Sequence, residues 1–388
     1  MATATNPTRT DWRDEWFEIE DATYLNLAGQ SPMPKVAIRA VQAALEAKKY
    51  PQTKPDSIFF EVPTRLRSSL ANLIGAKPGE IALTTGASAG AIAVAYGLTW
   101  NPGDEIITAK GEFPLQYTIW KPMEEREGVK VKVVAPRERF LSADDLISAL
   151  TPKTRLVSAS LVRFDDGALL DAARVAAACH AQNALLMLDV SQCCGALPMD
   201  VHELGADFLI CAGYKWLLGP FGTGFFWAKS EHLSIMRPGP FYWMALAGSE
   251  NFASLSFEDP RPAPSSQRWD TPEWASHFNL NLAGLDASVA FVSTIGPATV
   301  AAHNRTLIDL MFERLPKDRC VPASPLDAKL RGPYGCFRSR TTEKTTELYQ
   351  LLRKENVVVS LREGNIRVSP HLYNSERDID RLISVVTA

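Results

Sequence analysis

Cysteine and histidine are scarce, six of each in 388 residues. The cysteines make no disulfide framework and no Cys-x-x-Cys pair, and Cys193 and Cys194 are adjacent. A secreted disulfide scaffold and a thiol-redox motif are therefore not indicated, and no metal site is expected. No apolar run approaches the roughly 20 residues that cross a bilayer. The first ten residues are polar and threonine-rich, without the apolar core of a secretory signal. No block of one charge sign occurs. The 41 basic and 44 acidic side chains are spread along the chain, with a formal net charge of −3, so neither nucleic acid nor a membrane is an expected partner. No Gly-x-Gly-x-x-Gly follows an early strand, which weakens a Rossmann-like nucleotide binder. A reducing cytoplasm is the expected home. Hydrophobic content of 46 % is ordinary for a globular chain, and this length suits two domains.

Against these absences stands one dense stretch. Residues 206–229 read Ala-Asp-Phe-Leu-Ile-Cys-Ala-Gly-Tyr-Lys-Trp-Leu-Leu-Gly-Pro-Phe-Gly-Thr-Gly-Phe-Phe-Trp-Ala-Lys. A buried strand from Phe208 to Ala212 stops at Gly213, and a second runs from Gly224 to Ala228. Lys215 lies between them in apolar company. Burial disfavours its charge, and a neutral amine attacks carbonyls to form a Schiff base. A lysine at a strand end can also lay its stem on apolar surface and keep its head in water. Upstream, residues 184–192 form an apolar strand ending in Asp189, where open α/β sheets place ligands. An acid and then a lysine, each closing a buried strand, suggest a pyridoxal phosphate site. The lysine would bind the aldehyde, and the acid would keep the pyridinium nitrogen protonated.

In this order the motifs resemble the class V aminotransferase and cysteine desulfurase group, pyridoxal-phosphate enzymes of fold type I. The resemblance rests on Leu-Asp-Val-Ser-Gln (188–192), Gly-Tyr-Lys-Trp-Leu-Leu-Gly-Pro-Phe-Gly-Thr-Gly (213–224) and Ile-Arg-Val-Ser-Pro-His-Leu-Tyr-Asn (366–374). It extends from about Tyr24 to the end and is strongest toward the isopenicillin-N epimerase-like branch. It implies a mostly parallel seven-stranded sheet with helices on both faces, plus a small α+β C-terminal domain. The alternation of short apolar strands and helices from 81 to 228 points the same way. Expected boundaries are 1–30 for an N-terminal segment near the small domain, 31–295 for the large domain and 296–388 for the small one.

Other candidate residues follow along the chain. Gly29 sits in Tyr-Leu-Asn-Leu-Ala-Gly-Gln-Ser-Pro-Met-Pro (24–34). By resemblance this segment lies at the substrate carboxylate; read alone, it is a turn before a helix. After a strand at 81–84, Gly86, Ala87 and Ser88 open an Ala-rich helix whose free first-turn amides suit an anion. Beside the Asp–Lys pair they are assigned to the cofactor phosphate. Resemblance places Phe113 on the pyridine ring, where desulfurases carry a histidine; phenylalanine offers only a face. Desulfurases also carry an asparagine, on the cofactor's phenolic oxygen, where this chain has Phe164, so that contact passes to Gln192. Tyr214, next to the lysine, belongs to the same cofactor set. Resemblance sends Thr271, on an aromatic-rich loop, across a homodimer interface to the partner's phosphate. Arg367, in an apolar last strand, needs an anion; a structural salt bridge would serve, and resemblance favours the substrate α-carboxylate. His371 is expected to be structural.

The expected chemistry is a Schiff base on Lys215, displaced by an amino acid docked on Arg367, with the freed lysine removing the α-proton. Transamination, racemisation and elimination diverge only afterwards. Desulfurases need a mobile cysteine on a loop between Ser360 and Arg367, and here Leu-Arg-Glu-Gly-Asn-Ile is short and cysteine-free. An aminotransferase-like enzyme is the first reading, and a C–S lyase or amino-acid racemase the second. A fold that holds the cofactor without turnover is the non-enzymatic alternative.

Overall fold

Seven short apolar runs become the strands of one sheet: β1 (Ile81–Thr84), β2 (Glu105–Ala109), β3 (Lys130–Val134), β4 (Thr154–Ser160), β5 (Leu185–Asp189), β6 (Phe208–Ala212) and β7 (Gly224–Ala228). The computed structural model describes residues 12–53, 55, 57–237, 242–253, 260–271 and 280–388. The spatial order is β1-β7-β6-β5-β4-β2-β3. β7 runs antiparallel to both neighbours and every other pairing is parallel. A parallel sheet covered on both faces must be apolar on both. Alternate residues accordingly enter two separate cores, Leu209, Cys211 and Phe225 on one side, Phe208, Ile210 and Phe226 on the other. Helix Ala87–Gly97 packs on β6 and β7, and Ala172–His180 packs on β5. The apolar helix Leu280–Ile295 is buried against Lys35–Lys49 and Ile58–Ile74. Among the described residues no single helix is long and apolar enough to cross a membrane.

Beyond Gly296, whose φ is +84°, helix Pro297–Arg314 leads to a four-stranded antiparallel sheet. Its strands are β8 (Cys320–Pro322), β9 (Gly335–Ser339), β10 (Ser360–Arg362) and β11 (Asn365–Val368), in the order β10-β11-β9-β8. Helices Thr342–Lys354 and Glu376–Thr387 complete this part. The chain's beginning joins its end. Thr23 and Tyr24 pair in parallel with Val357 and Val358, and Asn26 bridges to Ser369.

The seven-stranded, mostly parallel sheet matches the sequence expectation. Helix Ile58–Ile74 contains Pro63, and Gly75 caps it at φ +70°. Residues 357–358 pair with the N-terminal segment, while residues 360–362 turn back on β11. Residues 272–279 and the tail 1–11 lie outside the described residues.

Candidate active site

The carboxyl ends of β1, β5 and β6 meet at one rim of the sheet. Asp189 closes β5 and is 7 % exposed, with Oδ1 accepting the Ser191 amide at 2.8 Å. The Ser191 hydroxyl accepts the Ala212 amide at 2.9 Å, which ties the ends of β5 and β6 together. The loop from Gly213 to Thr223 then turns directly into β7. Its base is closed by the Gly213 amide on the Thr223 carbonyl (2.7 Å) and the Gly219 amide on Gly213 (2.8 Å). Lys215 projects from this braced loop into the interior and is itself 7 % exposed.

Burial brings the Lys215 pKa down from 10.5 to about 8, against the opposing pull of the Asp189 carboxylate and with a further push from Arg367. Asp189 is raised by burial and drawn back by Lys215. Each group feels the other's charge, with no ion pair within 4 Å between them among the described residues. Lys215 Nζ lies 5.4 Å from the Phe113 ring centre and 5.7 Å from that of Tyr214. Phe113 is 40 % exposed and meets buried Phe164 edge-on at 5.5 Å.

Arg367 lies on β11, close enough to act on the Lys215 charge. It is 1 % exposed; Nη1 donates to the Phe164 carbonyl at 2.9 Å, while buried Nε has no partner. Among the described residues no carboxylate pairs with it. Gln192 is engaged by the Ala28 carbonyl (3.2 Å) and the Trp216 indole (3.4 Å). Gly29 turns tightly against Asn26, whose side chain occupies the space a Cβ would take. Ser31 donates through its amide and hydroxyl to the Tyr214 carbonyl at 3.1 and 3.0 Å, fastening the N-terminal segment to the lysine loop.

After β1 the chain turns at Gly86, with φ +149°, and enters the helix at Ala87. Only glycine takes that backbone readily. No side chain caps the helix; the Ala89 amide turns back to the Gly86 carbonyl at 3.2 Å, and Ser88 is exposed. Gly224 is required beside this turn, because a Cβ there would sit 2.7 Å from Gly86 Cα and 2.3 Å from the Cys211 carbonyl. Thr271 donates its amide to Leu83 at 3.1 Å. Preceding it, buried Asp270 receives Arg67 in a bidentate pair and the Leu83 amide at 2.8 Å. The fold therefore brings Asp189, Arg367, Phe113 and Tyr214 near Lys215, with Gln192 tied to the lysine loop through Trp216. Thr271 lies against β1, just before the Gly86 turn.

The class V aminotransferase profile matches residues 23–382. The chain belongs to that family. Among curated relatives it is 24 % identical, over 97 % of both chains, to an uncharacterized aminotransferase, YcbU, of Bacillus subtilis. It is 27 % identical, over 94 % of both, to isopenicillin N epimerase of Streptomyces clavuligerus. Its fold superposes on the cystine C-S lyase C-DES with a TM-score of 0.84 at 23 % identity, covering 95 % of this chain and 97 % of the other. Cysteine desulfurase CsdA from Escherichia coli superposes at 0.82 and 21 % identity, covering 99 % and 98 %. The fold-type I architecture implied by the sequence is thus the fold of this family member.

A second polar cluster was not singled out by sequence. Buried Arg163 lies 3.5 Å from Glu112 and 3.3 Å from Asp165, and donates to the carbonyls of Lys110 and Gly111. Glu112 accepts the Ser160 amide (3.0 Å) and hydroxyl (2.6 Å), and burial raises its pKa. Asp166 is pushed up to about 7 by burial and by Asp165. These groups flank Phe113 and Phe164 and set the backbone that carries them. The available signal was charged residues immediately before two site phenylalanines. His371 is buried with neither ring nitrogen bonded, and burial holds its pKa near 3. It is a neutral packing residue.

Proposed function

We propose that this chain is a pyridoxal-phosphate-dependent enzyme acting on an α-amino acid, with aminotransfer as its reaction. What supports this above all is that three remote stretches bring a buried acid (Asp189) and a buried guanidinium with an unpartnered N–H (Arg367) within electrostatic reach of a buried amine (Lys215). The residues suit the cofactor in kind. The uncapped helix start at Ala87 and the glycine-lined turn at Gly86 would hold its phosphate, joined by the Ser88 hydroxyl. Asp189 would hold the ring nitrogen, Phe113 would cover one ring face, and Lys215 would take the aldehyde. Gln192 and Tyr214 would border the ring. When bound, the cofactor supplies an electron sink for the bond broken at the α-carbon.

This chain's residues do the rest. Arg367 fixes the α-carboxylate through its free edge, beside the backbone of Gly29. Lys215, whose pKa burial brings down to about 8, moves the α-proton on Nζ. Phe113 has no proton to offer, so that duty falls on the lysine. Aminotransfer agrees with the family and with the aminotransferase relative. Epimerisation or C–S cleavage is the second reading, in line with the names of the epimerase and lyase relatives. A cysteine-persulfide relay is disfavoured because all six cysteines are buried.

The division into residues 1–30, 31–295 and 296–388 fits Gly296 as the hinge point, with residues 23–26 on the small part. A cytoplasmic homodimer is part of the same proposal. Exposed Ile92, Tyr96, Tyr117, Phe221 and Trp243 provide apolar surface for a second copy. The bond of Thr271 to Leu83 fixes the point from which its loop would cross to the partner's phosphate. A monomeric mass by light scattering would overturn this.

The central test is spectral. Protein loaded with pyridoxal phosphate should show lysine-linked absorbance that borohydride removes and Lys215→Ala lacks. Screening amino acids should then give the pyridoxamine form and an oxo acid. Pyruvate or sulfide release would establish the lyase instead, and α-deuterium exchange alone the epimerase. Absence of exchange with every amino acid would mark a fold that only holds the cofactor.

A further inference from the structure

A buried guanidinium normally requires an acid partner, since an unpaired charge in a dry interior is costly. At Arg367 an acid would occupy the edge that a ligand carboxylate must use. The structure resolves this conflict with an aromatic face. The Arg367 Cζ lies over the Tyr334 ring, 5.5 Å from its centre. A cation over an aromatic face is attracted by the ring quadrupole, most strongly away from water. A contact to a ring face accepts no hydrogen bond in the ordinary sense and so need not consume the guanidinium's N–H donors. Nη1 goes to the Phe164 carbonyl and Nε stays free.

Tyr334 is itself held on several sides. It is fully buried, and its hydroxyl donates to the Arg163 carbonyl. Gly167 leaves room for the ring; a Cβ there would lie 3.1 Å from Cε2. Trp216 runs parallel to it, 6.3 Å between centres and 11° between planes. Trp216 directly follows Lys215 and is anchored through its indole to Gln192. A stacked column thus connects the lysine loop to the arginine of β11.

We propose that Tyr334, backed by Trp216, is a positioning residue for Arg367: its face takes the place of a resident carboxylate and keeps the guanidinium edge open for the substrate's. This rests on the reading of Arg367 as the carboxylate anchor.

The test needs no knowledge of the substrate. Aminooxyacetate and methoxyamine both capture the cofactor aldehyde, and the first carries a carboxylate that the second lacks. Their capture rates by the loaded enzyme, followed by absorbance, give a ratio that reports the anchor. Pentafluorophenylalanine at 334 preserves the ring's shape and reverses its face. It should slow aminooxyacetate about tenfold and leave methoxyamine within about twofold, whereas Tyr334→Phe should keep the ratio. A general structural defect would slow both reagents and leave the ratio unmoved, which overturns the proposal. An equal loss in Tyr334→Phe overturns it too, by assigning the effect to the hydroxyl. Arg367→Met separates the two readings. If its ratio is normal, Arg367 is not the anchor. If its ratio collapses while the fluorinated protein's does not, only the role of Tyr334 fails.

Discussion

Replacing Lys215 with methionine should stabilise the cofactor-free protein. Methionine has the length of the lysine stem without the charge, so it stands in for the neutral amine. The structure brings the lysine pKa from 10.5 to about 8. At about 1.4 kcal/mol per tenfold change in proton affinity, ionised Lys215 costs the fold about 3 kcal/mol. That figure already contains the attraction of Asp189, because the lowered value is the net of burial and that attraction. The sign follows from proton counts. Between pH 8 and 10.5 the unfolded lysine keeps a proton that the folded one has lost, so wild-type stability rises with pH across this window. Below pH 8 the full cost is present. Urea unfolding of cofactor-free wild type and Lys215→Met should therefore differ by about 3 kcal/mol at pH 7, the mutant being firmer, with the gap closing toward pH 10.5. A mutant equal to or weaker than wild type at pH 7 would refute the claim that this amine is held against its burial.

Two further outcomes follow from buried polar groups. Asp270→Ala strands Arg67 and unhooks the Leu83 amide; urea unfolding should show a loss of about 3–5 kcal/mol, together with weaker pyridoxal phosphate retention on dialysis because β1 carries the Gly86 turn. His371→Phe removes a buried imidazole whose protonation the fold resists, its pKa being near 3 against 6.5. The folded state binds fewer protons than the unfolded one between those values, so wild type weakens as pH falls through that window and the variant should weaken less. Acid titration of unfolding midpoints tests this, and parallel curves would exclude it.

The sheet was legible because its central strands are short apolar runs bounded by glycine, proline or charge, buried on both faces and so free of alternation, while the edge strand Lys130–Val134 alternates lysine with valine. Lys215 and Asp189 were legible for a related reason: each is a polar residue at the end of such a run. The Arg163–Glu112 pair was not, since its members follow different strands and only the parallel order of β2 and β4 brings them together. Tyr334 was hidden among strand residues, where an aromatic ordinarily means core. The short helices Leu115–Thr118 and Lys121–Glu127 were also missed, the first being a single turn and the second charged with a proline at its start, neither long enough for a sustained apolar stripe. The divided strand at 357–362 turns on a partner more than 330 residues upstream, which no local pattern reveals.

That upstream partner has a consequence for biosynthesis. The segment from Thr23 to Ser31 is among the first parts translated, yet its strand partner Val357–Val358 and its acceptor at Ser369 are among the last. Through Ser31 it also steadies the lysine loop at Tyr214. A nascent chain can assemble its large sheet on the ribosome, but the strap must wait until Val357 and Ser369 have been made and have left the exit tunnel. Chains stalled before Val357 are expected to leave residues 12–31 open to protease and to bind pyridoxal phosphate poorly, so cofactor capture becomes a marker that synthesis has passed Ser369.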